Sequence, residues 1–249
     1  MSNSTLNIIK IGGNVIDDDI QLEAFLEKFA AVPGKKILVH GGGRIATRIA
    51  AQLGVEVKMV DGRRITDEAT LDVVTMVYAG LTNKNIVATL QKYDCDAIGL
   101  SGADGNVIKA VKRPVREIDY GYAGDILADS VNSLSIKKFL DAGFTPVFSA
   151  ITHNGNGQLL NTNADTIASA LAVALADHYE TSLIYCFEKN GVLLDVNDEN
   201  SVIEDITALD YVRYKESGVI TDGMIPKVEN AFDAINKGVK SVYIGNASN

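Results

Sequence analysis

Short apolar runs, many of them rich in β-branched residues, alternate along this chain with longer segments whose apolar positions recur at helical spacing. Such alternation is typical of βαβ units built around a largely parallel sheet. Several runs are apolar throughout, as expected for strands that are covered on both faces. Strands are predicted at residues 6–11, 36–40, 96–100, 107–111, 145–151, 182–187 and 241–245. Helices are predicted at residues 20–31, 44–53, 67–93 with a break near Gly80, 134–142, 163–178 and 223–237.

Nothing in the sequence marks a linker, a repeat or a low-complexity stretch. The polar, glycine-bearing segment 113–130 is predicted to be a loop or a short hairpin. With 249 residues the chain is long enough for one large α/β domain with a substantial core. We therefore expect a single domain over residues 1–249, made of two lobes at 1–178 and 179–249.

Composition narrows the possible functions. The net charge of −9 argues against a nucleic-acid partner, because phosphate backbones are bound by clustered Lys and Arg. The only cysteines, Cys95 and Cys186, are too few for a disulfide framework or a thiolate metal site. His40, His153 and His178 lack the spacing of a transition-metal site. The N-terminus does not resemble a signal peptide, and no apolar run approaches the ~20 residues that cross a bilayer. A cytoplasmic protein without a membrane partner is predicted.

Two glycine turns of the same kind follow the first two predicted strands. The segment "IIKIGGN" places Lys10 before Gly12 and Gly13, and "VHGGGR" places Gly41–Gly43 before a helical segment. At the carboxyl ends of parallel strands, bare backbone amides can face an anion, and a lysine adds a compact positive charge. A lysine among apolar residues is also costly unless it meets a partner. The pair of loops therefore favours a phosphate-binding site over two simple turns.

Other glycine motifs offer alternatives. Residues 41–46, "GGGRIA", fit the dinucleotide pattern G-x-G-x-x-A, and Asp61 lies about where a ribose-binding acid would be. An NAD(P)-dependent oxidoreductase is therefore an alternative, although this pattern leaves Lys10 unexplained. The "HGGG" segment also occurs in esterases as an oxyanion loop, but the G-x-S-x-G elbow that they need is absent from this sequence. The P-loop motif is absent too.

The second half of the chain supplies more polar chemistry. The segment "LLNTNAD" places Asn161, Asn163 and Asp165 around the start of an Ala-rich helix. One of them is expected to cap the helix, but three polar groups at alternate positions exceed what a cap requires. The segment "ITDGMIPK" begins another helix at Asp222–Gly223 and places Lys227 in its first turns. Taken alone, Lys227 would be a surface residue.

Five segments in this order, "KIGGN", "VHGGGR", "DGRRIT", "LLNTNAD" and "ITDGMIPK", resemble the amino acid kinase family over nearly the whole chain. The resemblance is greatest to the branch that phosphorylates N-acylglutamate in arginine biosynthesis. It implies a three-layer α/β/α sandwich with a mainly parallel sheet. The first lobe would bind the acyl amino acid and dimerise, and the second would bind the nucleotide. The implied reaction is ATP-dependent phosphorylation of the side-chain carboxylate of N-acetyl-L-glutamate or N-succinyl-L-glutamate.

The resemblance also implies catalytic roles for five residues. Lys10 would contact the transferred phosphoryl group, Lys227 would lie near the leaving nucleoside diphosphate, and Asp165 would hold both lysines in position. Gly13 and Gly42 would supply backbone amides to the phosphoryl oxygens. Because the substrate carboxylate is already ionised at neutral pH, such a site needs positioning and charge stabilisation rather than a general base.

Two binding sets follow from the same resemblance. Arg64 would be the bidentate partner of the substrate α-carboxylate, a task that lysine performs less well. The set implied for the acylglutamate is Gly42, Gly43, Arg64, Asn161 and Asn163. The set implied for the nucleotide is Lys10, Gly12, Glu188, Lys189, Asn190, Gly191, Val192, Leu193, Val219, Ile220, Thr221 and Lys227. Mg²⁺ would accompany ATP, with no metal ligand assigned to the protein.

Some features depart from the family. Phe187 and Glu188 stand where a Thr/Ser–Asp pair is usual, which leaves a non-catalytic amino-acid sensor as a third alternative. Arginine-inhibited members carry an extra N-terminal helix, whereas about five residues precede the first predicted strand here. We therefore expect an arginine-insensitive homodimer, with the apolar segment 67–93 as a candidate interface. The chain also stops short of the closing strand that the resemblance leads us to expect.

Overall fold

The computed structural model describes residues 4–60, 62–221 and 224–247. Its strands are β1 (Thr5–Ile11), β2 (Lys35–His40), β3 (Lys58–Val60), β4 (Arg63–Ile65), β5 (Ala97–Leu100), β6 (Val111–Lys112), β7 (Ala123–Asp125), β8 (Thr145–Ser149), β9 (Ile151–His153), β10 (Leu159–Thr162), β11 (Glu180–Phe187) and β12 (Ser241–Asn246). Its α-helices are α1 (Gly13–Ile16), α2 (Asp19–Ala31), α3 (Gly43–Gln52), α4 (Glu68–Val74), α5 (Asn83–Lys92), α6 (Ser133–Asp141), α7 (Ala164–Leu175), α8 (Ala208–Glu216) and α9 (Ile225–Asn236). A π-helical segment, Thr75–Thr82, joins α4 to α5, and a short 3₁₀ turn spans Asp104–Asn106.

Six parallel strands form the central sheet, in the spatial order β12-β11-β1-β2-β8-β5. Strand β1 lies inside the sheet, with Lys10 opposite Val39 of β2 on one side and Tyr185 of β11 on the other. Numbered along the chain, the six strands have the order 6-5-1-2-4-3. Dinucleotide-binding folds have the order 3-2-1-4-5-6. The topology therefore counts against the oxidoreductase alternative.

Helices cover both faces of this sheet, as the side chains of β1 show. Ile9 and Ile11 belong to a buried cluster with side chains of α2 and α5. Leu6 and Ile8 belong to a second buried cluster, with side chains of α4, α6 and α7. Because successive side chains of a strand point to opposite faces, the two clusters lie on opposite sides of the sheet. This confirms the three-layer prediction, and it places Lys10 on the side of Leu6 and Ile8, which is the side of α7.

Shorter strands stand beside the carboxyl end of the central sheet. Four of them form a second sheet in the order β6-β7-β10-β9, in which Asn161 of β10 lies opposite Ala123 of β7. Strands β3 and β4 form an antiparallel hairpin that carries Arg64. Thr66, just after this hairpin, is tied to the β6–β7 connection by hydrogen bonds with Tyr120 and Tyr122. These short elements bring Arg64 and Asn161 to the same end of the molecule.

Some element predictions are wrong in detail. Within residues 107–111, Ile108 and Lys109 form isolated bridges and Val111 begins β6, so this segment is not a strand of the main sheet. Residues 145–151 contain β8 and the beginning of a separate strand, β9. The long helix is not broken near Gly80, because the π-helical segment continues it from α4 into α5. The hairpin predicted around 113–130 is confirmed by the antiparallel pairing of β6 with β7.

A third, smaller hydrophobic cluster lies near the end of the chain. It contains Val192 from the loop after β11, Ile220 from the loop before α9, and Val228 of α9. Strands β11 and β12 nevertheless belong to the central sheet, so the boundary between two lobes stays a prediction. Within the described ranges, no helix combines the length and apolarity needed to cross a membrane.

Candidate active site

Three charged side chains from distant parts of the chain meet at the carboxyl end of β1. Lys10 Nζ lies 2.6 Å from Asp165 Oδ1, and Lys227 Nζ lies 3.5 Å from Asp165 Oδ2. Lys10 belongs to β1, Asp165 to the first turn of α7, and Lys227 to the first turn of α9. The structure thus brings together the three side chains that were assigned catalytic roles from the sequence.

The electrostatics of this triad depend on Asp165. Burial raises the pKa of the Asp165 carboxyl, but the charges of Lys10 and Lys227 outweigh burial, and the net effect lowers this pKa. Asp165 is therefore a carboxylate at neutral pH. Two ammonium groups beside one carboxylate leave a net positive charge, which suits an anionic phosphoryl group.

Local structure explains why Asp165 faces the lysines. The Asn163 side chain accepts a hydrogen bond of 3.1 Å from Thr166 N, so Asn163 is the N-cap of α7. Asp165 follows in the first helical turn, where the helix dipole favours a carboxylate. Its carbonyl oxygen accepts a hydrogen bond from the Tyr185 hydroxyl of β11 at 3.3 Å. The capping role expected for one of the three polar residues therefore belongs to Asn163.

The second glycine loop has a backbone that only glycine adopts readily. Gly42 has φ 147°, and α3 begins at the next residue. A Cβ at Gly42 would lie 3.1 Å from Tyr78 Cδ1 and 3.3 Å from Thr82 Oγ1, both in the π-helical segment. The loop is therefore packed closely against that segment, and Gly42 is needed both for its conformation and for the space.

The first glycine loop is tied to the neighbouring strand. Gly12 N donates a hydrogen bond of 3.0 Å to Cys186 O at the end of β11. Helix α1 begins at Gly13, immediately after this contact. The Gly12 amide is thus engaged with the sheet, and Gly13 is the next residue whose amide can face a ligand.

A cavity of about 210 Å³ extends to Asn163 and Ala164, the two residues before Asp165, while the three charged side chains are not part of its lining. Predicted residues that line it are Gly42, Gly43, Arg64, Asn161 and Asn163. Arg64 is buried, and its Nη2 donates to Gly43 O at 2.8 Å and to Thr47 Oγ1 at 2.9 Å. Its Nη1 is buried without a hydrogen-bond partner among the described residues. Arg64 is therefore anchored by one nitrogen and has a second donor free for a ligand.

Sequence reasoning missed several residues that line the same cavity. They are Met59, Arg63, Tyr78, Arg113 and Tyr120. Arg113 forms a bidentate contact with Asp125 and lies over the Tyr120 ring. Arg63 lies beside Arg64 in the segment "DGRRIT" but was given no role there, and Arg113 lies in none of the five segments. Tyr78 lies in a segment that reads as an apolar helix, so only the packing of that helix on the glycine loop shows its place.

The sequence of this chain is similar to those of known proteins. A sequence model of the amino acid kinase family matches residues 5–246. The chain belongs to the amino acid kinase family. Acetylglutamate kinase of Bacteroides thetaiotaomicron is 55% identical over 243 residues, which cover 98% of this chain and 94% of that protein. Acetylglutamate kinase of Cytophaga hutchinsonii is 55% identical over 240 residues, which cover 96% of this chain and 90% of that protein.

Solved structures agree with membership in the amino acid kinase family. The crystal structure of a protein from Streptococcus mutans UA159 has a TM-score of 0.79 with this chain at 29% identity. The alignment covers 97% of this chain and 94% of that one. The resemblance stated from the five sequence segments is thereby confirmed, as is the fold that it implied.

In this amino acid kinase, two loops assigned to the nucleotide lie near α9. Val192 and Ile220 share the small cluster with Val228, so the loops 188–193 and 219–221 meet beside the helix that carries Lys227. Lys189 is paired with Glu199. Because the Val192 and Ile220 side chains are buried, contacts of these two residues with a nucleotide would come from their backbone. Asp61, Asp222 and Gly223 lie outside the described residues.

Proposed function

We propose that this chain transfers the γ-phosphoryl group of ATP to the side-chain carboxylate of N-acetyl-L-glutamate, a step of arginine biosynthesis. The observation that carries the proposal is the position of Asp165 between Lys10 and Lys227, next to the cavity that Arg64 lines. Support for this substrate comes from the acetylglutamate kinases that are 55% identical over nearly the whole chain.

The reaction needs little from the protein beyond alignment and charge. The side-chain carboxylate has a pKa of about 4.3 in solution and is ionised at neutral pH. One of its oxygens forms a bond to the γ-phosphorus while the bond from this phosphorus to the β–γ bridging oxygen breaks, which gives an acyl phosphate and ADP. Lys10 would neutralise charge on the migrating group, and Lys227 would neutralise charge on the leaving group. Asp165 would hold both ammonium groups in position.

Backbone amides complete the site that we propose for the phosphoryl group. Gly13 and Gly42 each stand at the end of a parallel strand and at the start of a helix, where N–H groups lack partners within the helix. The free Nη1 donor of Arg64 would bind the α-carboxylate of N-acetyl-L-glutamate. Gly43, Asn161 and Asn163 would complete the walls around the same substrate.

ATP would bind along the loops 188–193 and 219–221, and Mg²⁺ would enter with it. Within the described ranges, no group of three His, Cys, Asp or Glu side chains is placed to hold a metal ion. We propose that Mg²⁺ binds as part of the MgATP substrate, with phosphate oxygens and water as its main ligands. A reaction that consumes ATP supports a cytoplasmic location for the enzyme.

The proposal is tested with the purified chain, MgATP and hydroxylamine, which converts an acyl phosphate into a hydroxamate. We expect ADP and hydroxamate in equal amounts with N-acetyl-L-glutamate, and at least about tenfold lower kcat/KM with L-glutamate, which lacks the acyl group. ADP release without hydroxamate would contradict phosphorylation of a carboxylate. NADH binding without ADP formation would favour an oxidoreductase, and amino-acid binding without turnover would favour a sensor.

We also propose a homodimer that forms through the exposed side of the π-helical segment. Val77 and Tyr78 of this segment are buried in the protein core, whereas Met76 and Leu81 have about half of their surface exposed. Large apolar side chains on one exposed face are typical of protein–protein contacts. The same helix would then support the glycine loop on one side and a partner subunit on the other.

A further inference from the structure

A buried polar network lies beneath the glycine loop Gly41–Gly43. The side chain of His40 is 0% exposed, and Asn83, the first residue of α5, is 1% exposed. His40 Nδ1 lies 2.8 Å from Gly41 O, and His40 Nε2 lies 3.0 Å from Asn83 Nδ2. Asn83 Nδ2 also lies 2.9 Å from Val147 O in β8. The network therefore joins the loop to α5 and to the neighbouring strand of the central sheet.

The direction of each hydrogen bond in this network is fixed by the groups at its ends. Carbonyl oxygens only accept, so His40 Nδ1 carries the proton that it donates to Gly41 O. For the same reason Asn83 Nδ2 donates to Val147 O, and Asn83 Oδ1 accepts from Lys84 Nζ at 3.0 Å. His40 Nε2 is then unprotonated and accepts from Asn83 Nδ2. Burial lowers the pKa of His40 to about 4, against the opposing effect of the Gly41 bond and with a further lowering by Lys84. The ring is therefore neutral at neutral pH.

The orientation of one peptide group follows from this network. The Gly41–Gly42 bond is trans, and in a trans peptide the C=O and the following N–H point in opposite directions. Because Gly41 O is held toward His40 in the interior, Gly42 N–H points away from it, to the side where the loop lines the cavity. We propose that His40 and Asn83 are positioning residues that aim the Gly42 amide at the transferred phosphoryl group. The inference rests on the role that we propose for Gly42.

Two neighbouring features make room for Asn83. A Cβ at Gly99 of β5 would lie 1.9 Å from Asn83 Oδ1 and 2.6 Å from Lys84 Nζ, so a larger residue there would expel the amide. The π-helical segment ends at Thr82, immediately before Asn83, and π-helical turns are frequent at functional sites. Since the network and the packing of Tyr78 on Gly42 come from the same helix, both act on the same loop.

Two substitutions at His40 separate its two hydrogen bonds. In His40→Asn, the side-chain amide can replace Nδ1–H and still donate to Gly41 O. In His40→Gln, the longer side chain places its amide near the position of Nε2 and leaves Gly41 O without its donor. We expect His40→Gln to lower kcat by about 10- to 100-fold. The reason is that a misdirected Gly42 amide would stabilise the transition state less well. KM for ATP and for N-acetyl-L-glutamate should stay within about threefold, and His40→Asn should restore most of kcat.

The control variants decide what a negative result means. His178→Gln removes a partly buried histidine that contacts Ser133, far from the loop in sequence, and should keep the kcat of the unchanged protein. Equal activity of His40→Gln and the unchanged protein would overturn the inference, and so would equal losses in both His40 variants with a lowered melting temperature. Lys10→Ala tests the proposed site itself. If Lys10→Ala is inactive while His40→Gln is fully active, only the present inference fails.

A measurement on the unchanged protein keeps the inference testable if His40→Gln does not fold. The ¹⁵N NMR spectrum of the histidine rings reports which nitrogen carries the proton, and His40→Asn assigns the signals by their loss. We expect the His40 proton on Nδ1, with Nε2 unprotonated, throughout the range from pH 6 to pH 8. A proton on Nε2, or a doubly protonated ring in this range, would overturn the inference.

Discussion

Asp165 is the counter-ion of two lysines that come from opposite ends of the chain. A single carboxylate between two ammonium groups holds them at a defined separation and leaves each with part of its charge unneutralised. That arrangement suits a reaction in which negative charge moves from one lysine toward the other as the phosphoryl group is transferred. We therefore expect substitution of either lysine alone to lower turnover.

We expect Lys10→Ala and Lys227→Ala each to lower turnover by at least about 100-fold, since loss of one preorganised donor costs about 3 kcal/mol in the transition state. ADP release with saturating substrates measures the effect. Lys237→Ala is the matched control, because Lys237 follows α9 as its C-cap and pairs with Asp233 at its exposed end. Near-normal turnover of both Lys10→Ala and Lys227→Ala would contradict the catalytic roles.

Arg64 differs from the lysines because its guanidinium is anchored before any ligand binds. One nitrogen is committed to Gly43 O and Thr47 Oγ1, which leaves the other for the substrate. Arg64→Lys keeps the charge but loses the fork that performs both tasks. We expect KM for N-acetyl-L-glutamate to rise about 10- to 100-fold, with KM for ATP changed little. Equal increases in both KM values would instead indicate general damage to the site.

The packing of the π-helical segment limits which residues can replace Gly42 in the second glycine loop. At Gly42, an added methyl group would meet Tyr78 and Thr82 of the π-helical segment and would force an unfavourable φ. We expect Gly42→Ala to destabilise the fold by about 1–3 kcal/mol and to lower kcat. Gly54→Ala is the control, because Gly54 also has a positive φ of 72° but has open space around its Cβ position. Denaturant unfolding and ADP release measure the two effects, and an unchanged kcat in Gly42→Ala would contradict the model of a tightly held loop.

Sequence patterns predicted the elements of the central sheet well, because strands such as β2 and β8 are buried along nearly their whole length and contain apolar runs. Residues 107–111 are also mostly apolar, but their backbone bridges go to segments outside the central sheet. Composition alone therefore led to the wrong prediction of a strand in that sheet. Gly80 is a poor helix former, yet it lies within a continuous helix because the π-helical segment is held by packing on the core. The short strands β3, β4 and β10 were missed, since pairing with other segments rather than local pattern defines them.

Residues of the candidate site that lie in short sequence motifs could be predicted. The glycine loops, Lys10, Asp165 and Lys227 each stand in a recognisable segment, and their convergence follows from the parallel sheet. Tyr78 and Arg113 could not be found in that way, because no motif near them in sequence indicates a ligand, and Arg63 was missed although it adjoins Arg64 in the segment "DGRRIT". These three residues come from different parts of the chain, and only the folded structure shows that all of them line the cavity.

At the scale of the whole molecule, the buried His40 makes stability depend on pH. Its pKa falls from 6.5 in the unfolded chain to about 4 in the folded protein, so between these values the unfolded state binds more protons. Stability should therefore fall as the pH is lowered from 6.5 to 4, by about 3 kcal/mol for this residue. Burial also lowers the pKa of His153, which acts in the same direction.

A comparison of variants isolates the contribution of His40 to the pH dependence of stability. Denaturant unfolding of His40→Asn should show a flatter dependence of stability on pH than the unchanged protein between pH 6.5 and pH 4. The lowered pKa of Asp165 contributes only at still lower pH, where its carboxylate becomes protonated. Identical slopes for His40→Asn and the unchanged protein would contradict the assignment.

The proposed homodimer is also a property of the whole molecule. Leu81→Glu and Met76→Glu place a charge on the exposed side of the π-helical segment and should convert the dimer into monomers. Leu209→Glu is the control, because Leu209 is a highly exposed leucine on α8, outside this face. Size-exclusion chromatography with light scattering measures the mass, and a dimer that survives both substitutions would exclude this face as the interface.

The place of β1 in the sheet has a consequence for how the chain is made. During synthesis Thr5–Ile11 is followed closely by β2, its partner on one edge, whereas Glu180–Phe187, the partner of its other edge, is made much later. Until that late strand has been synthesised, a row of backbone amides and carbonyls at the centre of the future sheet has no partner, which is a hazard for aggregation. Lys10 is likewise translated long before Asp165 and Lys227, so the group of three charged side chains can form only after Lys227 has been made.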